Sequence, residues 1–168
     1  MTRSLTYFGP SLAQLHGDYA KKSRIDERAP IAAHEETTVH APAGVVWQKL
    51  SDVPAWATNL EPGVRKINVP SGVRVDARFS RTAGGARMRS RFAVVNPERE
   101  LAWTGSAFGM KVVHRFTLEP LSTTSTRVVV EESMAGPPLA ALFSTGKLRA
   151  LLRGSLGTLK AAAEATTR

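Results

Sequence analysis

The 168-residue chain contains no cysteine. This absence excludes a disulfide framework, a thiolate nucleophile and a thiolate metal site, so packing alone must stabilise the fold. No apolar run approaches the roughly 18 residues that a membrane-spanning helix needs. The first residues also lack a continuous apolar segment before a small-residue cleavage site. We therefore expect no membrane span, no secretion signal and no lipid anchor, with the cytoplasm as the default location.

The composition is that of an ordinary globular protein, with 42% hydrophobic and 22% charged residues, and the length predicts one domain. Residues 1–30 are predicted to form an N-terminal extension that precedes a ligand-binding domain at residues 31–168. A short helix is expected near residues 11–22, because Leu12, Leu15 and Tyr19 recur at helical spacing. This segment could pack against the domain as a flap.

Most of the domain alternates between apolar and polar residues, which is the pattern of half-buried strands. Residues 31–42 predict a first strand that ends at Pro42. From Val64 to Met134 the alternation continues, with breaks at "PSG", "AGG", "NPER", "GSAFG" and "LSTTS". Short breaks of this kind join antiparallel neighbours, so this region predicts a meander of six more strands with one apolar face.

Helical patterns lie between the first two strands and at the end of the chain. Val46, Trp47 and Leu50 share one face of a short helix. Asp52, as an N-terminal acceptor, and Pro54 favour the start of a second short helix. After the Pro-Pro pair at residues 137–138, leucines recur at helical spacing towards the C-terminus. The chain therefore predicts an α+β fold in which a seven-stranded antiparallel sheet curls around a long C-terminal helix. A twisted sheet wrapped on one helix leaves a cavity between them.

Within this order, three stretches resemble a known family: residues 41–56, 100–105 and 126–136. Val46, Trp47, Leu50, Asp52, Trp56, Leu101, Trp103, Glu132 and Gly136 carry the resemblance. They resemble the START-like (SRPBCC, birch-pollen-allergen-type) helix-grip superfamily, and in particular its bacterial polyketide cyclase/dehydrase-like branch. The resemblance covers residues 31–165 and implies the helix-grip fold with a ligand cavity. It does not name the ligand, because the superfamily includes carriers, receptors and cyclases.

The resemblance also implies a chemistry, in which a poly-β-keto chain is folded in the cavity and its aldol closure or dehydration is assisted. Such steps need a weak base, a donor to the developing alkoxide and a general acid. His114 is the first candidate base, because it shares the apolar face of "MKVVHRFTLEP" with Phe116. A hairpin turn near residues 122–125 would set His114 opposite Glu132 on the inner face, where the carboxylate could orient the imidazole. The same pair could instead be structural or ligand-orienting.

Further inner-face residues are candidates for ligand contact. Arg81 could polarise a ligand carbonyl near the cavity mouth or extend outward to solvent, and the Ser90 hydroxyl could donate to a ligand. Trp56 and Asn59 are expected near a mobile entrance. Apolar and aromatic side chains are expected to line the cavity or to fill the core: Phe79, Met88, Phe92, Trp103, Met110 and Phe116.

Other ligand classes find little support in the sequence. His16, His34 and His40 have no ligand-like spacing, so we predict no metal. No glycine-rich loop opens a helix after a strand, and we predict no nucleotide or other cofactor. The net charge is +9, but no lysine-rich tail or interleaving of aromatic and basic residues favours nucleic-acid binding. A homodimer is left open.

Two functions follow from these patterns. The first is a protein that binds a hydrophobic small molecule, such as a polyketide, aromatic or acyl intermediate. Such a protein could also catalyse the cyclisation or dehydration of the bound molecule. The second is a non-catalytic carrier or partner-binding protein that uses a basic outer sheet face. Six arginines define that outer arginine face: Arg74, Arg78, Arg87, Arg89, Arg91 and Arg115.

Overall fold

A computed structural model describes residues 7–137 and 143–167. Its centre is one antiparallel sheet of seven strands in the order β1-β7-β6-β5-β4-β3-β2. The strands are β1 (Ile31–Val39), β2 (Arg65–Asn68), β3 (Arg78–Ala83), β4 (Ala86–Asn96), β5 (Glu100–Ala107), β6 (Met110–Pro120) and β7 (Thr126–Ala135). The predicted fold class and the predicted order of helices and strands along the chain are confirmed.

Two short helical pieces follow β1, as predicted. Helix α1 spans Ala43–Ser51, and a 3-10 turn (Val53–Ala55) leads into α2 (Trp56–Asn59). The predicted capping role of Asp52 is wrong, because its side chain makes no capping hydrogen bond. Its backbone (φ −79°, ψ 71°) is not in the extended conformation from which a cap side chain normally reaches the helix amides.

The long helix α3 covers one face of the sheet and spans Thr145–Ala165. The Ser144 side chain accepts a hydrogen bond from the backbone N–H of Lys147 and caps the helix. The Pro-Pro start that the sequence predicts lies partly outside the described residues. The helix buries one stripe of side chains at helical spacing: Leu148, Leu152, Leu156, Leu159 and Ala163.

Strand pairing places the predicted residues opposite one another. In the β6–β7 hairpin Leu118 pairs with Val128, Phe116 with Val130 and His114 with Glu132. The turn between β5 and β6 is shorter than "GSAFG" suggests, because β5 continues to Ala107 and only Phe108 and Gly109 form the turn. Both turn residues have positive φ, 50° and 78°, which is the conformation of a two-residue type I′ hairpin.

The N-terminal extension packs on the opposite, outer face of the sheet. It contains the predicted helix as three short turns in succession, Leu12–Gln14, Leu15–Tyr19 and Ala20–Lys22. Leu15 and Ala20 form a second apolar cluster with Ala93 and Val113. Ala93, which follows inward-facing Phe92 and lies at a bulge between Phe92 and Val94, faces outward and meets this cluster. Part of the sheet's outer face is therefore covered by the chain itself.

The outer arginine face is consequently less uniform than the alternation predicts. Arg115 is half-buried and forms ion pairs with Glu100 and Glu131. Arg91 forms an ion pair with Asp76 at 3.0 Å. Arg74 and Val75 lie in the turn before β3, so the predicted strand does not extend back to them. Arg78, Arg87 and Arg89 remain exposed on β3 and β4.

Candidate functional site

A cavity of about 870 Å³ lies between the inner face of the sheet and helix α3. Its polar side chains are few, as in most small-molecule sites: Glu61, Arg81, Ser90, His114, Glu132, Ser155 and Thr158. Apolar side chains supply most of the wall, among them Met88, Trp103, Met110, Val112, Met134, Phe143, Leu148 and Leu152. The volume and lining suit a ligand that is largely apolar and carries a small number of polar atoms.

His114 and Glu132 form a buried hydrogen-bonded pair on the cavity wall. Both are nearly inaccessible to solvent, with 3% and 8% of their surface exposed. The imidazole Nδ1 bonds to Glu132 Oε2. Because an ionised carboxylate only accepts, the Nδ1 atom carries the proton and Nε2 of the neutral ring is left as an acceptor. Nε2 is buried and has no hydrogen-bond partner among the described residues.

The plane of the imidazole is held by neighbouring rings on the same face. Trp103 pairs with His114 across β5 and β6, and the two rings stack with centroids 4.4 Å apart. Phe116 occupies the next inward position of β6, and the centroid of its ring lies 5.0 Å from that of the imidazole. The ring therefore has an aromatic face on one side and a carboxylate partner at Nδ1, which together define its orientation.

Arg81 lies on the inner face and does not extend to solvent. Its Nε donates to Glu61 Oε2 at 3.0 Å. Its guanidinium carbon lies 5.6 Å from the centre of the Trp56 ring and 5.8 Å from that of Trp103, within cation–π range. The Nη1 atom is buried without a partner among the described residues. One donor of a fixed guanidinium is thus unused at the wall of the cavity.

Ser90 contributes a third unused polar atom. It pairs with Gly105 across β4 and β5, and its buried Oγ has no partner within the described part of the chain. A Cβ at Gly105 would lie 3.0 Å from this oxygen, tighter than ordinary contact. The glycine therefore leaves space beside the hydroxyl.

The structure brings together seven of the predicted site residues on the cavity lining: Arg81, Met88, Ser90, Trp103, Met110, His114 and Glu132. The other five do not line it: Trp56, Asn59, Phe79, Phe92 and Phe116.

Four of these five pack in the core: Trp56, Phe79, Phe92 and Phe116. Trp56 is completely buried, and its Nε1 donates to the carbonyl of Leu50 at 2.8 Å. The rings of Phe79 and Phe92 stack with centroids 4.3 Å apart and fill the space beside Trp56. Asn59, at the end of α2, is also buried. Trp56 and Asn59, which are expected near a mobile entrance, do not line the cavity, because α2 packs inward against the aromatic cluster.

Glu61 was not found by sequence reasoning. It follows α2 in a short loop without periodic pattern, and no local signal distinguishes it from a solvent-exposed carboxylate. Its role as partner of Arg81 follows only from the approach of this loop to β3.

His16 has partners that the sequence did not suggest. Its Nδ1 lies 2.9 Å from Thr104 Oγ1 and its Nε2 lies 2.8 Å from Asp76 Oδ1, on the outer face. Burial lowers the pKa of His16, with Asp76 opposing the shift. Hydrogen bonds from Lys21 and His16 lower the pKa of Asp76 to about 2. Within residues 7–137 and 143–167, no group of three or more metal-ligating side chains is clustered, and no helix is long and apolar enough to cross a membrane.

A curled antiparallel sheet that grips a long helix around a mostly apolar cavity defines the class of helix-grip proteins. The family model described as polyketide cyclase / dehydrase and lipid transport matches residues 30–164. The chain belongs to this family. Among curated protein sequences, none matches the chain.

Solved structures with the same fold include proteins with and without an assigned activity. The ZhuI aromatase/cyclase from Streptomyces sp. R1128 aligns with 82% of this chain and 95% of its own, at 19% identity and a TM-score of 0.64. Hypothetical protein jhp0584 from Helicobacter pylori aligns with 88% of this chain and 94% of its own, at 18% identity and a TM-score of 0.68. The di-domain ARO/CYC BexL of the BE-7585A biosynthetic pathway aligns with 82% of this chain and 47% of its own, at 19% identity and a TM-score of 0.65. At these identities the similarity establishes the fold.

Proposed function

We propose that the cavity binds a polyketide, or a related aromatic or acyl intermediate, and that the His114–Glu132 pair assists its cyclisation or dehydration. The single observation that carries the proposal is the concentration of unused polar atoms in an otherwise apolar cavity wall. His114 Nε2, Ser90 Oγ and Arg81 Nη1 are all buried and lack partners among the described residues. Buried polar atoms are normally paired, and those that are not need an explanation. Carbonyl oxygens of a ligand would accept hydrogen bonds from Arg81 Nη1 and Ser90 Oγ, and an enol or hydroxyl group of the same ligand would donate to His114 Nε2.

The proposed reaction begins at an acidic carbon between two ligand carbonyls. Nε2 removes a proton from this carbon, and the electron pair of the broken C–H bond forms an enolate while Glu132 stabilises the imidazolium. The enolate carbon attacks a second carbonyl of the same chain, which forms the ring C–C bond and an alkoxide. Arg81 or Ser90 donates a hydrogen bond to that oxygen as charge develops.

Dehydration completes the proposed sequence. The imidazolium returns its proton to the alkoxide, which becomes a hydroxyl group, and the ring is neutral again. The neutral Nε2 then removes a second C–H proton from the adjacent carbon, and the electron pair of that bond forms the C=C bond as the C–O bond breaks. The imidazolium supplies a proton to the departing hydroxyl, which leaves as water. The protons balance, because the base regains its neutral form when it acts as the acid. The family membership supports this chemistry, as does the aromatase/cyclase activity assigned to ZhuI.

One observation favours a non-catalytic carrier as the second candidate. The Nε2 atom of His114 exposes essentially no surface, so a ligand would first contact the ring and the apolar wall rather than the nitrogen. The family description itself includes lipid transport. In this role His114 and Glu132 satisfy one another and shape the cavity, and no bond is made or broken.

Two variants and one control separate the two candidates. His114→Ala and Glu132→Gln are compared with His34→Ala, which alters an exposed histidine on β1. Turnover is measured with a poly-β-keto acyl thioester, and binding by quenching of tryptophan fluorescence with neutral 9,10-anthraquinone. If the pair is catalytic, His114→Ala lowers turnover by about 10²–10⁴-fold while anthraquinone still binds and His34→Ala behaves as wild type.

The remaining outcomes are equally decisive. Wild-type turnover in both variants, with anthraquinone bound, removes the catalytic role of the pair. Binding of anthraquinone without turnover by the wild type leaves the carrier. No saturable binding of any apolar probe would contradict both candidates. Binding in the cavity should also change little between about 50 and 200 mM salt, in contrast to polyanion binding, which weakens steeply over that range.

A further inference from the structure

A second cavity, of about 500 Å³, lies on the outer face of the sheet, on the opposite side from the ligand cavity. One wall is the N-terminal helical segment, through Leu12, Ala13 and His16. The floor is formed by outward side chains of β3, β4 and β5, including four arginines: Arg78, Arg87, Arg89 and Arg91. We define this space as the arginine groove. The N-terminal residues that build its wall lie outside residues 30–164, which match the family.

Three of the arginines occupy directly opposed or successive outward positions on β3 and β4. Arg78 pairs directly with Arg91 across β3 and β4, and Arg89 is the next outward residue of β4. Like charges placed directly opposite in a sheet are destabilising. Asp76 forms an ion pair with Arg91 and so neutralises the charge of that arginine. Arg78, Arg87 and Arg89 make no ion pair or side-chain hydrogen bond with any residue that the structure describes. The groove thus concentrates positive charge that the protein leaves uncompensated.

Neutral donors lie beside these arginines. The hydroxyls of Ser80 and Ser106 line the groove and make no side-chain hydrogen bond within the described residues. Ser80 pairs with Arg89 on β3 and β4, and Ser106 pairs with Arg89 on β4 and β5. Arg89 is therefore flanked on both sides by hydroxyl groups. Guanidinium and hydroxyl groups can both donate hydrogen bonds to the oxygens of a phosphate group, which accepts bidentate bonds from arginine.

The groove also has an apolar part. Leu12 and Pro70 belong to its lining. Its volume falls in the range of roughly 300–1,000 Å³ that is typical of small-molecule sites. We infer that the arginine groove is a second ligand site, which binds the phosphate group of a small phosphate ester with an apolar substituent. The site is independent of the proposed function, because it lies on the other face of the sheet.

The test uses calorimetric titration of the full-length protein with phenyl phosphate and with inorganic phosphate at constant ionic strength. Arg89→Gln removes the central arginine of the groove. Arg99→Gln is the matched control, because Arg99 is also exposed, lies outside the groove and makes no side-chain ion pair within the described residues. We expect one saturable site for phenyl phosphate, with inorganic phosphate binding more weakly because it lacks the apolar group. Arg89→Gln should weaken binding by about tenfold, since charge-assisted hydrogen bonds are the strong ones.

The control variant should stay within about twofold of wild type, as expected for the removal of one distant, screened charge. Equal weakening by Arg99→Gln would overturn the site in favour of non-specific attraction. Absence of saturable binding would also overturn it, as would binding to phosphatidylglycerol vesicles without binding of either soluble probe. Thermal unfolding shows whether each variant is folded, and Arg87→Gln provides a second groove variant. Binding of anthraquinone in the inner cavity should not change, so failure here is distinguishable from failure of the proposed function.

Discussion

The imidazole of His114 lies flat against the indole of Trp103, with ring centroids 4.4 Å apart and planes inclined by 8°. The two residues are directly paired across β5 and β6, and Glu132 pairs with His114 on the other side. Three neighbouring strands therefore present an indole, an imidazole and a carboxylate in one row. The orientation of the imidazole is a property of the sheet register and does not depend on a loop.

This row predicts a change of tautomer when Glu132 is replaced. In the wild type the carboxylate accepts from Nδ1, so the neutral ring carries its proton there. In Glu132→Ala we expect an increased fraction of the ring with its proton on Nε2, the form that free imidazole prefers when nothing accepts from Nδ1. Nitrogen-15 chemical shifts of His114 report the ratio of the tautomers. Glu131→Ala on the outer face is the control, and the same shifts in wild type and Glu132→Ala would contradict the assignment.

Gly105 is predicted to keep the cavity open beside Ser90. In Gly105→Ala the new methyl would lie 3.0 Å from Ser90 Oγ and 3.7 Å from Met88 Cε. Overpacking of this kind costs about 1–3 kcal/mol, and anthraquinone affinity should fall as the space narrows. Denaturant unfolding and fluorescence quenching measure the two effects.

Gly157 provides the opposite case on α3. A Cβ at this exposed position would meet nothing within 4 Å, so Gly157→Ala should stabilise the protein by up to about 1 kcal/mol through helix propensity. It should leave anthraquinone binding unchanged, because Gly157 does not line the cavity. The same denaturant unfolding and fluorescence quenching apply. Destabilisation by Gly157→Ala would show that the helix needs glycine at this position for another reason.

The docking of the N-terminal segment should weaken in acid. Burial lowers the pKa of His16 below its usual 6.5, so the unfolded chain takes up this proton before the folded protein does. The stabilisation is complete above pH 6.5 and is lost as pH falls towards the folded-state pKa. Hydrogen bonds from Lys21 and His16 lower the pKa of Asp76 from 3.8 to about 2, so a second loss follows as pH falls from about 4 towards 2.

Denaturant unfolding between about pH 8 and 5 tests the first loss. The free energy of unfolding of wild type should fall more steeply over this range than that of His16→Gln, whose side chain does not titrate. His34→Gln, on exposed β1 surface, is the control and should follow wild type. Identical slopes for wild type and His16→Gln would mean that the buried imidazole does not couple folding to pH.

Gly136 is predicted to be irreplaceable at the end of β7. It has a φ of 141°, and a Cβ there would lie 2.5 Å from the carbonyl oxygen of Gly109. Gly136→Ala should cost more than about 2 kcal/mol, the sum of backbone strain and displacement of the β5–β6 turn. Gly63→Ala shares a positive φ, 95°, but meets nothing within 4 Å, so it measures the strain alone. Equal losses in the two variants would exclude a contribution from the contact with Gly109.

The strand alternation predicted which residues share a face, and the structure agrees over most of β4, β6 and β7. Successive side chains in a strand point to opposite faces of the sheet, so the face of each residue can be predicted from its neighbours in the sequence. The pairing of His114 with Glu132 followed from it once the turn near residues 122–125 was recognised. The prediction failed before β3, where Asp76 has a φ of 67° and ends the extended backbone.

The sequence by itself therefore determined the order of the elements, the two faces of the sheet and the chemistry available on the inner face. Only the tertiary structure decided where packed core ends and cavity begins. Phe92 and Trp103 are both inward-facing, yet Trp103 lines the cavity and Phe92 lies outside its lining, among packed aromatic rings. Tertiary structure also decided the pairing of Glu61 with Arg81 and the docking of His16 beside Asp76, 60 residues away. Such contacts depend on how the helices cross the curled sheet, and no repeat of two or 3.6 residues encodes that geometry.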